Sequence, residues 1–469
     1  MTRTSGRVLI GSVLLLFAMV TAAGAVDCGD TIVADVTLVG ADGITTTICP
    51  GDGLIIDGDG ITVDLSGFTI RGSGGGTGIK ILAGSDNVIL QNGQITGFAK
   101  GIGGTMVCTL PDPQDCKIEN VTVTGNDVGV DLLGTRATLD TVKAVANTGD
   151  GILVNGSSNR VVDHVLATGN GGHGIVLIGN GALVENSLAT GNGGDGIRVQ
   201  GDLGTVLNND MYTNGGDGLA VIGNRNLVKK NDGGDKGKGN VGDGIRVTGG
   251  GNTVRENRLY ANGGYGIEVT GGTAAIANIL LKNLVGDRGR GNALHGIFVH
   301  LDKGNGTPDP VEIQGNVVKS SGQSGIVVKT SPAGVASAET IGNVTPASTT
   351  VVIGVLPTTL GFTASGQAVL GGVDTFAYSG VNAFGFTGVL AIDANFPAGT
   401  EVTQAAAGSP SQTTGHELKG NQSGGSGDLR NALCQYDVES GNFNARSNKA
   451  NGVLVKPDID GAAFPTGCL

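Results

Sequence analysis

The chain has 469 residues, of which 88 are glycine, carries a net charge of −12, and has 3% aromatic residues with no Trp. An acidic body is a poor partner for nucleic acid, whose phosphates call for Lys and Arg. The glycines follow no period of three, so a collagen-like helix is excluded and they belong to turns.

Residues 1–25 read as a secretory signal peptide. Arg3 and Arg7 open it, Val8 to Val20 form its apolar stretch, and Ala23-Gly24-Ala25 form its cleavage site. The expected location is therefore secreted, extracellular or periplasmic in a bacterium. No later segment is long and apolar enough to span a membrane, so none is expected in the mature protein. Six cysteines fit such a compartment. Their placement predicts the local pairs Cys28–Cys49, Cys108–Cys116 and Cys434–Cys468, fastening an N-terminal cap, a Pro-Asp-Pro loop and a C-terminal cap.

Residues 26–75 read as that cap with the first rungs, and residues 76–330 as the main body. There one phrase recurs: Asn170-Gly-Gly-His173-Gly174-Ile175, Asn192-Gly-Gly-Asp195-Gly196-Ile197, Asn214-Gly-Gly-Asp217-Gly218-Leu219, Asn262-Gly-Gly-Tyr265-Gly266-Ile267. The glycine ahead of each apolar residue recurs every 22 or 23 positions, with intervals of 26 to 30 where a turn is longer. That period marks stacked supersecondary units. The alternating Ile-x-Val predicts a short strand with two side chains inward. The Asn four residues ahead of the glycine is expected to stack on its copies, and the glycines to serve positive φ or close approach. Lys229 to Lys238 and Gly286 to Arg290 read as turn loops. Residues 331–430 break the rhythm and read as a late β-rich insertion; residues 431–469 read as a last rung and C-terminal cap.

These repeats resemble the right-handed parallel β-helix of the pectin-lyase-like superfamily. They most resemble secreted bacterial β-helix proteins of the nitrous-oxide-reductase copper-maturation group, whose early rung is similar to Asp64-Leu65-Ser66-Gly67-Phe68-Thr69-Ile70. The predicted fold is accordingly all-β, a single solenoid of about a dozen rungs. Fold alone does not name an activity.

Candidate chemistry follows from the register. The second and fourth residues after each marker glycine point outward, and a turn row stands just before them. The richest outward patch combines Asp243 and Arg246, Tyr265 and Glu268, His295 and His300. Elimination or epimerisation at a uronate needs a base, a proton donor and a cation for the carboxylate, which His, Tyr and Arg can supply. The alternative is a solvated face with an Arg246–Glu268 cross-strand pair. Gly172-His173-Gly174 is similar to a triplet of polygalacturonase-type hydrolases, but no paired-Asp motif accompanies it, and the His occupies a slot filled elsewhere by Asp or Tyr. The row Asp150, Asp195, Asp217 and Asp243 could hold Ca²⁺, although Asp before Gly is also ordinary turn chemistry. Copper, which the maturation relatives imply, favours Met, Cys or His clusters, and this chain shows none.

The sequence therefore predicts a binding or surface-structural module for glycans or another cell-surface component, with no intact catalytic motif and no required cofactor. The alternatives are a polysaccharide lyase or epimerase acting on acidic glycans and, less favoured, periplasmic metal handling. Scarce aromatics weigh against a stacking cleft.

Overall fold

The computed structural model describes residues 25–331, apart from 110–115, 235–236, 272–275, 288–289, 303–310 and 323–324; beyond 331 it describes strands between 337 and 454 with single residues beside them. Within these bounds the chain is a parallel β-solenoid. The only helix among the described residues is the four-residue Gly43–Thr46 in the cap.

Each rung contributes one strand to each of three parallel sheets. The first sheet has fourteen strands, from Asp30–Ile32 through Ile152–Asn155, Ile197–Gln200, Ile245–Thr248, Ile267–Thr270 and Ile297–Asp302 to Ile326–Ser331 and Tyr436–Val438. The second and third sheets are fused early, where Ile89–Thr96 and Lys117–Thr124 run through both. They part when a corner is inserted, as between Thr205–Leu207 and Asp210–Tyr212. After Ser331 the solenoid continues with Thr414–Lys419, Gln422–Gly424 and Tyr436–Val438, which pair onto the preceding rung. Antiparallel strands between Ser337 and Gln404 form two small sheets.

Alternation sets the core. In Ile197–Gln200 the residues Ile197 and Val199 are buried at 0% and 1% exposure, and their copies align with Ile175, Leu177, Leu219 and Val221 above and below. Each such aliphatic burial stabilises by roughly 1.5–3 kcal/mol. None of it exists for an isolated rung, so stability arises from nearest-neighbour stacking.

The corners are polar and equally buried. Asn192 donates its backbone N–H to Asn214 Oδ1 at 3.1 Å, and its Nδ2 donates to the same oxygen at 3.0 Å and to the Ala167 carbonyl at 3.1 Å. The motif repeats from Asn126 to Asn292. Two further ladders, unforeseen in the sequence, occupy the other corners: Asn209, Asn231, Asn257, Asn283 and Asn316, and Asn226, Asn252 and Asn278. The marker glycines keep negative φ and serve close approach alone. A Cβ on Gly196 would lie 2.6 Å from Asn214 Nδ2 and 2.7 Å from the Gly218 carbonyl.

The disulfides Cys28–Cys49 and Cys108–Cys116 are formed. The expected Cys434–Cys468 pair, the signal peptide and the Pro-Asp-Pro loop lie outside the described residues.

Replacing a ladder Asn removes the acceptor of two buried donors at once. Asn214→Ala is expected to cost roughly 2–5 kcal/mol, on about 1–3 kcal/mol for each buried group left unsatisfied. Urea denaturation followed by circular dichroism checks this, and an unchanged midpoint would refute the ladder's role.

Candidate functional site

The row of residues before each marker glycine lies at the corner between the third and first sheets. Its side chains lean forward by one rung. Asp150 Oδ1 accepts the N–H of His173 at 2.7 Å, His173 Nδ1 that of Asp195 at 2.8 Å, and Asp195 Oδ1 that of Asp217 at 2.9 Å. Asp217 Oδ1 then accepts the N–H of Asp243 at 2.8 Å, and Asp243 Oδ1 that of Tyr265 at 2.7 Å. The slot therefore selects a short acceptor, and His173 substitutes for Asp through its ring nitrogen. No hydrolase motif is needed to explain it.

The same lean decides which charges meet. Strand register sets Arg246 beside Glu268, and the sequence reading paired them. The short contact of Arg246 is instead backward, Nε to Asp217 Oδ2 at 2.6 Å. Asp217, tilted into the next rung, reaches the guanidinium there. One rung on, Asp243 tilts toward Glu268, and their two carboxyl groups hydrogen-bond to one another. Such a bond requires one of the pair to carry a proton.

Burial is the main cause of the resulting shifts. It pushes Asp243 well above the carboxylate range, and the adjacent Glu268 and Asp217 charges push it the same way. Burial also raises Glu268, opposed by the hydrogen bond from Asp243 and by Arg246. Asp217 is raised by burial, against the pull of Arg246. Burial disfavours the Arg246 charge, yet the carboxylates of Asp217 and Glu268 hold it firmly protonated. The cluster is thus a guanidinium on one carboxylate beside a buried carboxyl pair, both of whose members burial raises.

Tyr265 ends the run of acceptors. Its ring stacks on Phe298 at 4.8 Å and on His295 at 5.6 Å between centroids, while His300 meets Phe298 edge-on at 6.2 Å. Phe298 and Val327 point outward, as the register requires, but are 1% and 0% exposed; with Tyr265 they form an apolar cluster separate from the interior column. The Tyr265 hydroxyl is buried without a hydrogen-bond partner among the described residues. The structure therefore groups the sequence-predicted residues as two units, Asp217–Arg246–Asp243–Glu268 and Tyr265–His295–Phe298–His300. Phe298 enters because the forward lean brings Tyr265 over it.

Among the described residues, no three His, Cys, Asp or Glu side chains converge to hold a metal ion. Asp195, Asp217 and Asp243 each commit Oδ1 to a backbone N–H. Among the same residues no helix is long and apolar enough to cross a membrane.

Residues 109–234 and 150–305 match the family model described as right handed beta helix region. No curated protein matches the chain. Among solved structures, the mannuronan C-5 epimerase AlgE4 A-module of Azotobacter vinelandii is 17% identical, with 64% of this chain and 83% of that chain covered and a TM-score of 0.37. A double mutant of the periplasmic alginate epimerase AlgG is 15% identical, covering 61% and 77%, with a TM-score of 0.41. The Dettilon tailspike protein is 16% identical, covering 76% and 71%, with a TM-score of 0.36.

A carboxyl held protonated by the fold contributes its full stability below the ordinary value of 3.8, and loses it as pH rises through the raised folded value. Asn at position 243 keeps the acceptor for Tyr265 N–H, offers a donor toward Glu268 and cannot ionise. Asp243→Asn is therefore expected to gain thermal stability relative to the native protein as pH rises from about 4 to about 9. Parallel melting-temperature curves over that range would exclude the proton from the Asp243–Glu268 contact.

Proposed function

We propose that this chain is a secreted β-helix that binds glycans and does not transform them at the Asp217–Glu268 patch. The observation that carries the reading is that the patch satisfies itself. Arg246 is engaged by Asp217, and Asp243 is bonded to Glu268. Elimination or epimerisation at a uronate needs a cation that can clasp the substrate carboxylate. With Arg246 committed to Asp217 and ringed by acidic side chains, an anionic sugar ring finds no free cation here. Hydrolysis by two carboxyls needs them held apart around the scissile bond, whereas these two touch.

The scaffold suits a polymer. Its faces repeat every rung, about 4.8 Å, so a chain with a regular repeat meets the same groups again and again. Thr248 and Thr270 already form such a row, with their hydroxyls 2.9 Å apart. The two disulfides support an oxidising location outside the cytoplasm.

The test uses the full mature protein against neutral and acidic polysaccharides, read by affinity electrophoresis and by ultraviolet absorbance and NMR of the glycan. Retention by at least one glycan with no change in it is expected. Unsaturated uronate products or altered epimer ratios that disappear in Glu268→Gln would replace this reading with the lyase or epimerase one.

A further inference from the structure

We infer that the outer face of the third sheet carries a two-unit site for an acidic glycan, formed by Tyr212 with Lys238 and Tyr260 with Arg290. The inference rests on the glycan-binding reading above and names the class of ligand.

Register puts the two tyrosines in one outward column. Thr190 pairs with Tyr212, and Met211 with Gly233, which is in turn opposite Leu259. Continuing that register aligns Tyr212, Gly234 and Tyr260. Met211 and Leu259 are fully buried, so the neighbouring tyrosines project outward, and both are partly exposed. The rings stand two rungs apart, roughly 9.6 Å. In that column the intervening rung presents Gly234, where a Cβ would meet the Tyr260 carbonyl at 2.0 Å.

Each ring has a cation from the corresponding loop of the next rung. Lys238 Nζ lies 5.8 Å from the Tyr212 centroid, and the Arg290 guanidinium 5.2 Å from that of Tyr260. The two loops are among the longer turns of the repeat. Asp287 braces Arg290 at 3.1 Å, while Lys238 is exposed and has no carboxylate partner among the described residues. Charge follows the same pattern. Residues 225–319 hold thirteen Lys and Arg against nine Asp and Glu, inside a chain whose overall charge is −12.

A tyrosine with a cation over one face leaves its other face and its edge to a sugar ring bearing an anion. The ring's C–H face packs on the tyrosine, and the carboxylate or sulfate reaches Lys238 or Arg290. Two such units on one axis require a polymer. A single sugar would gain from one unit only, whereas a chain reaching both gains from their linkage.

The test is binding of the full mature protein to polygalacturonate, dextran sulfate and neutral dextran by isothermal titration, with circular dichroism confirming each variant's fold. The native protein is expected to bind one or both acidic polymers, more weakly as salt increases, and to ignore neutral dextran. Tyr212→Ala with Tyr260→Ala is expected to weaken binding roughly tenfold. Lys238→Glu, on an exposed loop, should weaken it by a comparable factor without affecting stability. Preference for polygalacturonate identifies the sugar carboxylate as the recognised anion; preference for dextran sulfate identifies sulfate. Binding of an acidic polymer that both sets of substitutions leave unchanged overturns this site while leaving the glycan-binding reading intact. No retention of the native protein by any glycan overturns that reading, and the site with it.

Discussion

The structure depends on how a coil can turn a corner in its own interior. Strands satisfy their backbone groups through the sheets, but a corner exposes N–H and carbonyl groups to the face of the next rung, where there is no water. Asn resolves this because its amide both accepts and donates at one reach. At Asn192 and Asn214 one oxygen takes two donors while the nitrogen returns a bond to the rung behind. The amide fits only because the marker glycine of the preceding rung has no side chain, so the Gly of one rung and the Asn of the next form a single device. Once that device fixes the corner, the register of the following strand is fixed, and with it which side chains form columns.

The turn row solves the same problem with carboxylates, and this produces the site. Each Asp leans into the next rung to accept a backbone N–H. Two consequences follow from that geometry. The carboxylates are buried, which raises the proton affinity of Asp217 and Asp243. Their second oxygens also arrive beside the outward residue of the following strand. At Arg246 that residue is a cation and an ion pair results. At Glu268 it is another acid, and the proton that burial favours is held between them. No separate catalytic design is required to generate a strongly perturbed carboxyl here.

The sequence made the period legible because each rung repeats the same local requirement, and local requirements are what a sequence states. Asn170, Asn192, Asn214 and Asn262 announce one corner ladder through the Gly-Gly that follows each. The ladders through Asn209 and Asn226 went unread because their neighbours vary: Asp210, Asp232 and Arg258 follow one, and Leu227, Thr253 and Ile279 the other. Inward and outward faces were read correctly from Ile-x-Val. The burial of Phe298 and Val327 was not, since alternation says where a side chain points and not what covers it. The ion pair of Arg246 with Asp217 was missed for a directional reason. Cross-strand register is flat, whereas the turn-row side chain is tilted, and only the hydrogen bonds to the next rung reveal the tilt.

In a repeat of this kind, a residue's meaning lies in its departure from its own column. Asp217 and Asp243 match their column and are explained by the corner; their residue type alone is weak ground for chemistry. Tyr265 departs from it and ends the ladder, and the aromatic stack begins there. Tyr212 and Tyr260 are set among Thr190, Gly234 and Gly286, a column with no structural demand for an aromatic ring. Their cations come from two of the corners where the period lengthens. A solenoid can admit extra residues at a corner without disturbing the strands, because backbone pairing resumes at the next ladder Asn. Longer corners are therefore where such a chain can acquire a ligand at little cost to its fold, and on this chain they coincide with the stretch where the net charge turns positive.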